Sequence, residues 1–409
     1  MNIKWNEKKL SDIATMIDYR GKTPQKSTSG IPLITAKIVK NGTILPANEF
    51  IAESQYASWM TRGDPCVGDV VMTTEAPLGE VAQLRDAHVA LAQRIITIRG
   101  KKDVLDNGYL KYFLQSAEGQ GRLRARETGT TVTGIKAAEL RELMIPFPNI
   151  VQQRKISKVL LDLDEKIYNL RQENHNLEKQ AKAIFKSWFI DAPECKAWDS
   201  VPLKELVVAM RNGDWGKDNP CGNNTEVSYC IRGADIPDVN AGNKGKMPIR
   251  YILPKNYEKK HLVEGDIVVE ISGGSPTQST GRCAVISQAL LDRYEQKIVC
   301  TNFCKALKPL DGYSHFLYYY WTYLYEKGCF FAYENGTTGI KNLDIAGIIE
   351  NEFLQLPPIE IMEKFNELCD KLASTIFSNG TETERLAQLR DALLPKLMSG
   401  EINVSEVEI

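Results

Sequence analysis

The chain has 409 residues, enough for two or three domains that each bury a core of their own. Hydrophobic residues make up 43% and charged residues 25%, ordinary for globular protein, and a formal net charge of −1 excludes a dominant polybasic surface. Nucleic-acid binding would therefore have to rest on local patches, or on charge shared with partner subunits.

No apolar run approaches the length of a membrane span, and Met1-Asn2-Ile3-Lys4-Trp5 opens no signal-peptide stretch. Nine cysteines without a Cys-x-x-Cys pair lead to the expectation of free thiols in a reducing cytoplasm, away from membranes. Cys300 and Cys304 are close in sequence, but no second ligand pair accompanies them, so no metal site is expected.

In chain order, Trp5, Leu10, Asp12 and Ile13 open a first module, followed by the short basic loop Arg20-Gly21-Lys22-Thr23-Pro24. The runs 31–38, 68–73, 79–84 and 95–99 are rich in β-branched residues and bounded by Gly, Pro or Asn, which predicts strands. Residues 109–123 read as a helix. Arg122, Arg124 and Arg126 then lead into Glu127-Thr128-Gly129-Thr130-Thr131 and on to Gly134-Ile135-Lys136, with Pro146 and Pro148 marking a stop.

Next, Ile156, Leu160, Leu163, Ile167, Leu170, Asn174, Leu177, Ala181, Ile184 and Trp188 step by four and three, a seam with one polar break. At ~1.5 Å per residue, about forty helical residues span roughly 60 Å.

The same order then recurs. Trp198, Leu203, Glu205 and Leu206 repeat the module start, and Gly213-Asp214-Trp215-Gly216-Lys217 replaces the basic loop. Gly265-Asp266-Ile267-Val268 repeats Gly68-Asp69-Val70-Val71, and Gly281-Arg282-Cys283-Ala284 repeats Gly79-Glu80-Val81-Ala82. Strands are predicted near 267–271 and 283–286, and a helix over 314–325 whose run of tyrosines reads as core packing. Glu334-Asn335-Gly336-Thr337-Thr338 leads into Gly339-Ile340-Lys341, and Pro357-Pro358 marks the second stop. A second seam runs Ile361, Phe365, Leu368, Leu372, Thr375, Asn379, is interrupted at Gly380, and resumes at Leu386, Leu389 and Leu393. Five matches kept in order make a duplication the reading to carry forward. Antiparallel pairing of the two helices is favoured over two amphipathic helices each packed on its own module, and Asn174 and Asn379 are candidate register setters.

Catalytic signatures are missing from the sequence: no phosphate-binding Gly-x-x-x-x-Gly-Lys loop, no His-Glu-x-x-His, no Asn/Asp-Pro-Pro-Tyr methylation motif. Asp266 and Glu270 lie on one strand, but Ser272 stands where a nuclease lysine would, so both are read as structural. What remains is binding chemistry. Glycines let backbone approach a ligand, Lys and Arg supply phosphate or guanine contacts, and Thr hydroxyls bond phosphate oxygens.

These landmarks resemble the specificity subunit of type I restriction–modification systems over essentially the whole chain. The strongest carriers are the Trp-x4-Leu-x-Asp/Glu module starts, Asp18-Tyr19-Arg20-Gly21-Lys22-Thr23-Pro24 leading to Gly30-Ile31-Pro32-Leu33-Ile34, and the Gly-Asp-hydrophobic strands. With them stand the two Gly-Thr-Thr loops and Gln152-Gln153-Arg154-Lys155-Ile156 after Ile145-Pro146-Phe147-Pro148. The second helix opens instead with Glu360-Ile361-Met362-Glu363-Lys364-Phe365, a weaker match.

The resemblance implies an α+β fold of two tandem globular target-recognition domains, separated and linked by two long antiparallel coiled-coil helices in pseudo-twofold arrangement. Its divisions would be 1–149, target-recognition domain 1; 150–191, spacer helix 1; 192–357, target-recognition domain 2; 358–400, spacer helix 2; and 401–409, a tail. It implies a subunit without chemistry of its own, reading a bipartite, asymmetric double-stranded DNA site and docking two methyltransferase subunits. S-adenosylmethionine would be bound by the partner methyltransferase, and ATP and Mg by a motor-endonuclease subunit where one joins.

The expected DNA-contacting set is Arg20, Lys22, Thr23, Arg94, Arg122, Arg124, Thr130, Thr131 and Lys136 in the first module. In the second it is Trp215, Lys217, Ser275, Thr337, Thr338 and Lys341. Two other readings stay open: a recognition subunit of another restriction type, and a coiled-coil scaffold carrying protein- or carbohydrate-binding modules.

Overall fold

The computed structural model describes residues 5–129, 133–275, 277–336 and 341–404. The chain divides into two compact units, residues 1–165 with 386–409, and residues 166–385. Each contains one α+β module and a stretch of both long helices, which run Ile150–Lys186 and Ile359–Ser399.

In the first unit a four-stranded antiparallel sheet has the order Ala14–Asp18, Ile95–Gly100, Val70–Thr74, Leu78–Gln83. The strand period of two sends Val70, Met72, Ile96 and Ile98 to one face and Val71 and Ile95 to the other. Both faces are covered, one by the helix Asn107–Gln115 and the long-helix residues Ile156, Leu160 and Leu397. The other lies under a small sheet in which Ile31–Ile34 pairs antiparallel with Phe50–Ile51 and parallel with Ala90–Leu91.

The module start has a mechanical role. Asn6–Lys9 pairs with Met144–Phe147, so both ends of the module meet, and the turn Leu10–Ile13 drops two fully buried side chains into the core. The Gln153 side chain, fully buried, then clamps the start of the first long helix. Its amide donates to the Val104 and Pro148 carbonyls at 3.0 and 2.9 Å, and its oxygen accepts the Asp106 N–H at 2.9 Å.

The predicted single helix over 109–123 is two helices. Ser116 leaves helical geometry at ψ 158°, and its Oγ caps the next helix by accepting the Gly119 N–H at 3.1 Å. A Cβ at Gly119 would come within 2.0 Å of the Phe113 carbonyl, so glycine makes that sharp re-entry possible.

The second unit repeats the strand order of the four-stranded sheet, the small sheet and the closing pair. Its four-stranded sheet runs Val207–Asn212, Cys304–Pro309, Ile267–Glu270, Cys283–Val285. Its small sheet joins Glu226–Ile231 antiparallel to Ile249–Ile252 and parallel to Ile298–Cys300, and Ser200–Pro202 closes on Phe353–Gln355. The helix Ser314–Glu326 packs Tyr318, Tyr319, Tyr320 and Trp321 into the core with Phe185 and Phe365 of the long helices and Phe189 of the π turn Ser187–Asp191.

Within the second unit the long helices pair antiparallel: Phe185 meets Phe365 at a ring distance of 6.0 Å, and Asn174 meets Asn379. The buried face of the second helix runs through Met362, Phe365, Cys369 and Ile376. Thr375 is exposed and, in the first unit, Leu389 is 40% exposed, so the seam read from leucine spacing lies beside the buried face at those two points. Gly380 does not interrupt the helix. It admits the loop Ala241–Asn243, whose Gly242 carbonyl a Cβ at Gly380 would approach to 1.9 Å. Among the described residues no helix is long and apolar enough to cross a membrane.

Candidate nucleic-acid interface

The repeated Gly-Asp pairs explain themselves as structure. Gly68 and Gly265 adopt φ of +86° and +83°, and the aspartates that follow are buried. Asp69 accepts the Cys66 N–H and a two-pronged Arg99 contact at 2.7 Å on each oxygen, and Asp266 accepts the Val263 N–H and Arg211. Glu270 is taken by Arg282 at 2.9 and 2.7 Å. This is the structural reading of Asp266 and Glu270, with each carboxylate held by an arginine.

The duplicated loops occupy one place in each module, at the far end of the central strand. In the first, the Thr74 carbonyl accepts the Ile135 N–H at 2.9 Å, and Gly134 bridges to Glu75 and Thr128. In the second, the Ile271 carbonyl accepts the Leu343 N–H at 2.8 Å, and Lys341–Leu343 pairs with Ser272–Gly273 and Glu334–Asn335. Thr130, Thr131, Thr337 and Thr338 lie outside the described residues.

A second loop converges on the same strand end. The Thr74 N–H donates to the Arg94 carbonyl at 3.1 Å, and the Ile271 N–H to the Phe303 carbonyl at 2.9 Å. Each module thus presents one loop through the carbonyl, and one turn through the N–H, of a single strand-end residue.

The expected contacts divide into engaged and open side chains. Arg20 holds Asp18 through Nε at 3.0 Å and Nη2 at 2.7 Å, and its Nη1 donates to the Ile135 carbonyl at 3.0 Å, tying the basic loop to the duplicated loop. Burial works to raise the Asp18 pKa, but the Arg20 hydrogen bonds and charge bring it below the ordinary carboxylate value. Lys22 and Thr23 are exposed beside Gly21, which takes φ +85°. Arg94 is 60% exposed and meets Glu75 at 3.0 Å. Arg122 is committed to Glu7, Glu118 and the Met144 carbonyl, away from the strand end, whereas Arg124 and Lys136 are exposed.

In the second module Lys341 donates to Glu334 at 2.7 Å and to the Ser275 carbonyl at 3.3 Å. Desolvation works to raise the pKa of half-buried Glu334, but Lys341 and the Thr280 N–H and hydroxyl bring it below the ordinary value. Ser275 Oγ accepts the Gln278 N–H at 3.0 Å. Trp215 is 37% exposed with the Arg250 guanidinium 4.0 Å above its ring, and Lys217 is exposed on a backbone paired with Tyr251. Their loop reaches the turn that follows Ile298–Cys300 through Gly213 and Asp214, and the Asp214 N–H donates to the Cys300 carbonyl at 2.8 Å.

Sequence reasoning missed Phe303 and Arg62. Arg62 donates to the Asp18 and Arg20 carbonyls at 2.8 Å and shapes the basic loop. Neither sits in a motif, and only chain tracing brings them to the site. The nine cysteines are free thiols, and burial pushes Cys304 up to about 12, leaving Cys300 and Cys304 as inert core groups.

Known proteins share this plan. The family model of the type I restriction modification DNA specificity domain matches residues 2–179 and 196–388. The MjaIX specificity subunit of a type I restriction enzyme from Methanocaldococcus jannaschii is 28% identical over 98% of this chain and 94% of its own length. The HindI specificity subunit from Haemophilus influenzae is 23% identical over 73% of this chain and 76% of its own. The crystal structure of a type I restriction–modification S subunit from M. genitalium has the same fold, with a TM-score of 0.58 at 17% identity over 97% of this chain and 96% of that one. Two matches of one domain model, each covering one of the duplicated modules and much of the long helix that follows it, place the chain in the type I restriction–modification DNA specificity family, as a specificity subunit.

Proposed function

We propose that each module reads one half of a split DNA sequence through the loop and turn at the end of its central strand, and that the long helices set the gap between halves. The observation that carries this reading is the duplication: two modules with the same sheet order present equivalent strand ends, where the duplicated loops keep Gly-Thr-Thr and Gly-Ile-Lys while the turns beside them differ, Ala92-Gln93-Arg94 against Thr301-Asn302-Phe303. Different chemistry in equivalent places supports two different half-sites, hence an asymmetric target. The helices also dock two methyltransferase subunits, which bind S-adenosylmethionine and turn the target adenine out of the stack. A motor-endonuclease subunit that joins would bring ATP and Mg. This chain contributes binding and geometry and no chemistry, in a cytoplasmic complex. A net charge of −1 supports a division in which the partners complete the basic channel around DNA.

The test is co-expression with the methyltransferase encoded beside it in a methylation-free host, with modified adenines mapped by long-read sequencing. A split motif with a fixed gap is expected. A continuous motif overturns the two-half reading, and an assembled complex that methylates nothing overturns the assignment to DNA.

A further inference from the structure

We infer that Phe303 is an apolar base-reading residue of the second module, selecting a thymine through its 5-methyl group. The inference rests on the DNA reading above and names a contact within it. Chain geometry makes Phe303 the counterpart of Arg94. In the first module the parallel strand Ala90–Leu91 passes through Ala92, Gln93 and Arg94 into the strand Ile95–Gly100. In the second, Ile298–Cys300 passes through Thr301, Asn302 and Phe303 into Cys304–Pro309. The bonds at both ends match: Ala92 N–H to the Ile34 carbonyl and Thr301 N–H to the Ile231 carbonyl, each 3.0 Å, then the Arg94 and Phe303 carbonyls to the strand-end N–H groups.

The turn is held from several sides. Thr301 is buried, its Oγ1 accepts the Phe303 N–H at 3.1 Å, and its carbonyl accepts the Cys304 N–H at 3.0 Å. Gly213 lies so close that a Cβ would sit 1.9 Å from the Thr301 carbonyl. On this fixed turn Phe303 is 62% exposed and joins neither the aromatic cluster nor the buried core. A phenylalanine gains about 1.5–3 kcal/mol by burial, so a held turn that withholds it from the core serves something other than stability.

Arg94, exposed to 60% in the same slot, carries the guanidinium that reads guanine edges in the major groove. Phe303 offers no hydrogen bond, and the base feature an apolar group recognises there is the thymine methyl. The Glu75 contact of Arg94 is an exposed ion pair, cheap to exchange for a base.

The experiment uses the full chain with its methyltransferase and maps methylation for the wild type, F303A, F303L and R94A. F303A should relax one T·A position in one half-site and leave the other half and the gap unchanged. F303L should keep part of that preference, and R94A should relax a G·C position in the opposite half. Replacing the thymine with uracil in a duplex should slow wild-type methylation about fourfold, the effect of one lost methyl contact, and leave F303A indifferent.

A wild-type chain without a split motif overturns the underlying reading. A split motif that both Phe303 variants leave intact, or relaxation at a G·C pair, overturns the assignment of Phe303 alone. So does loss of complex assembly in both variants, which would make Phe303 a partner contact.

Discussion

Asp164 offers the sharpest test of how the first module is held to its helices. Its Oδ2 accepts Lys111 Nζ at 2.5 Å and the Tyr112 hydroxyl at 2.7 Å, and its Oδ1 accepts Arg390 Nη1 at 2.8 Å. One carboxylate therefore joins the module helix to both long helices inside the first unit. Asp164→Ala leaves Arg390 its contact with Asp391 at 2.7 Å, but strands Lys111, whose side chain is only 4% exposed. An orphaned buried charge costs about 3–5 kcal/mol. For a unit of this size that lowers the melting temperature by roughly 6–20 °C. Replacing both charges, Lys111→Met with Asp164→Leu, should recover most of the loss, leaving about 1–2 kcal/mol for the unpaired Tyr112 hydroxyl.

Burial works against the Asp164 charge, yet Lys111 and Arg390 hold its pKa below the ordinary value. A carboxylate depressed on folding adds stability above the unfolded value of about 4, and that stability is lost as pH falls through the folded value. The gap between wild type and Asp164→Asn should therefore close in acid. Scanning calorimetry, with hydrogen exchange over residues 107–115 and 386–399, reads all of this. A single variant within 1 kcal/mol of wild type, or a double variant no more stable than the single, refutes the reasoning.

In the second unit, Asn174→Leu removes the donor to the Ile376 and Ala241 carbonyls, at 2.9 and 3.0 Å, and should cost about 2–4 kcal/mol by urea denaturation; an unchanged midpoint would deny the asparagine its role. Glu178 is raised by burial, with Lys182 and the Tyr318 and Tyr319 hydroxyls offsetting only part, so its charge costs stability above the ordinary glutamate value. Glu178→Gln should match or exceed wild type in thermal stability at neutral pH, and a loss beyond about 1 kcal/mol would show that the charge is wanted. Lys22→Ala should weaken DNA binding by the assembled complex about equally on all sequences and reduce the salt slope by about 1; a change in the mapped motif would make Lys22 a base reader. Four residues inserted between 160 and 185 add about 6 Å of helix and should widen the gap by one or two base pairs; an unchanged gap rejects the helices as a ruler.

Much of this was legible because it repeats or because it is periodic. The module starts, the Gly-Asp strands and the four-and-three spacing of Ile156 to Ala181 each follow from a local rule, and each is where the rule puts it. Local rules failed where a third element intervenes. Leu389 fits a heptad, yet Leu386 and Arg390 take the inward positions around it, because the helix must serve its module as well as its partner helix. Gly380 reads as an interruption until the Gly242 loop is seen against it. Among the basic residues, charge alone cannot separate Lys22, which is open, from Arg122, which is consumed by Glu7 and Glu118. Phe303 carried no signal at all, since its meaning depends on superposing two turns whose sequences share nothing.

Each four-stranded sheet is covered on both faces, so substitutions along its strands disturb a core and cost stability before they alter binding. The turn 92–94 and its counterpart 301–303 escape this, because their geometry is set by backbone bonds to Ile34, Ile231, Thr74 and Ile271 rather than by their outer side chains. A guanidinium can stand in one and a phenyl ring in the other without any change of fold. The anchoring clusters have diverged as freely. Lys111 and Tyr112 hold Asp164 in the first unit, while Tyr318 and Tyr319 of the equivalent module helix face Glu178 in the second. Duplication has thus kept the hydrogen-bonded frame and released two surfaces that need not match: the outer side chains of the turns, and the contacts that seat each module on its helices.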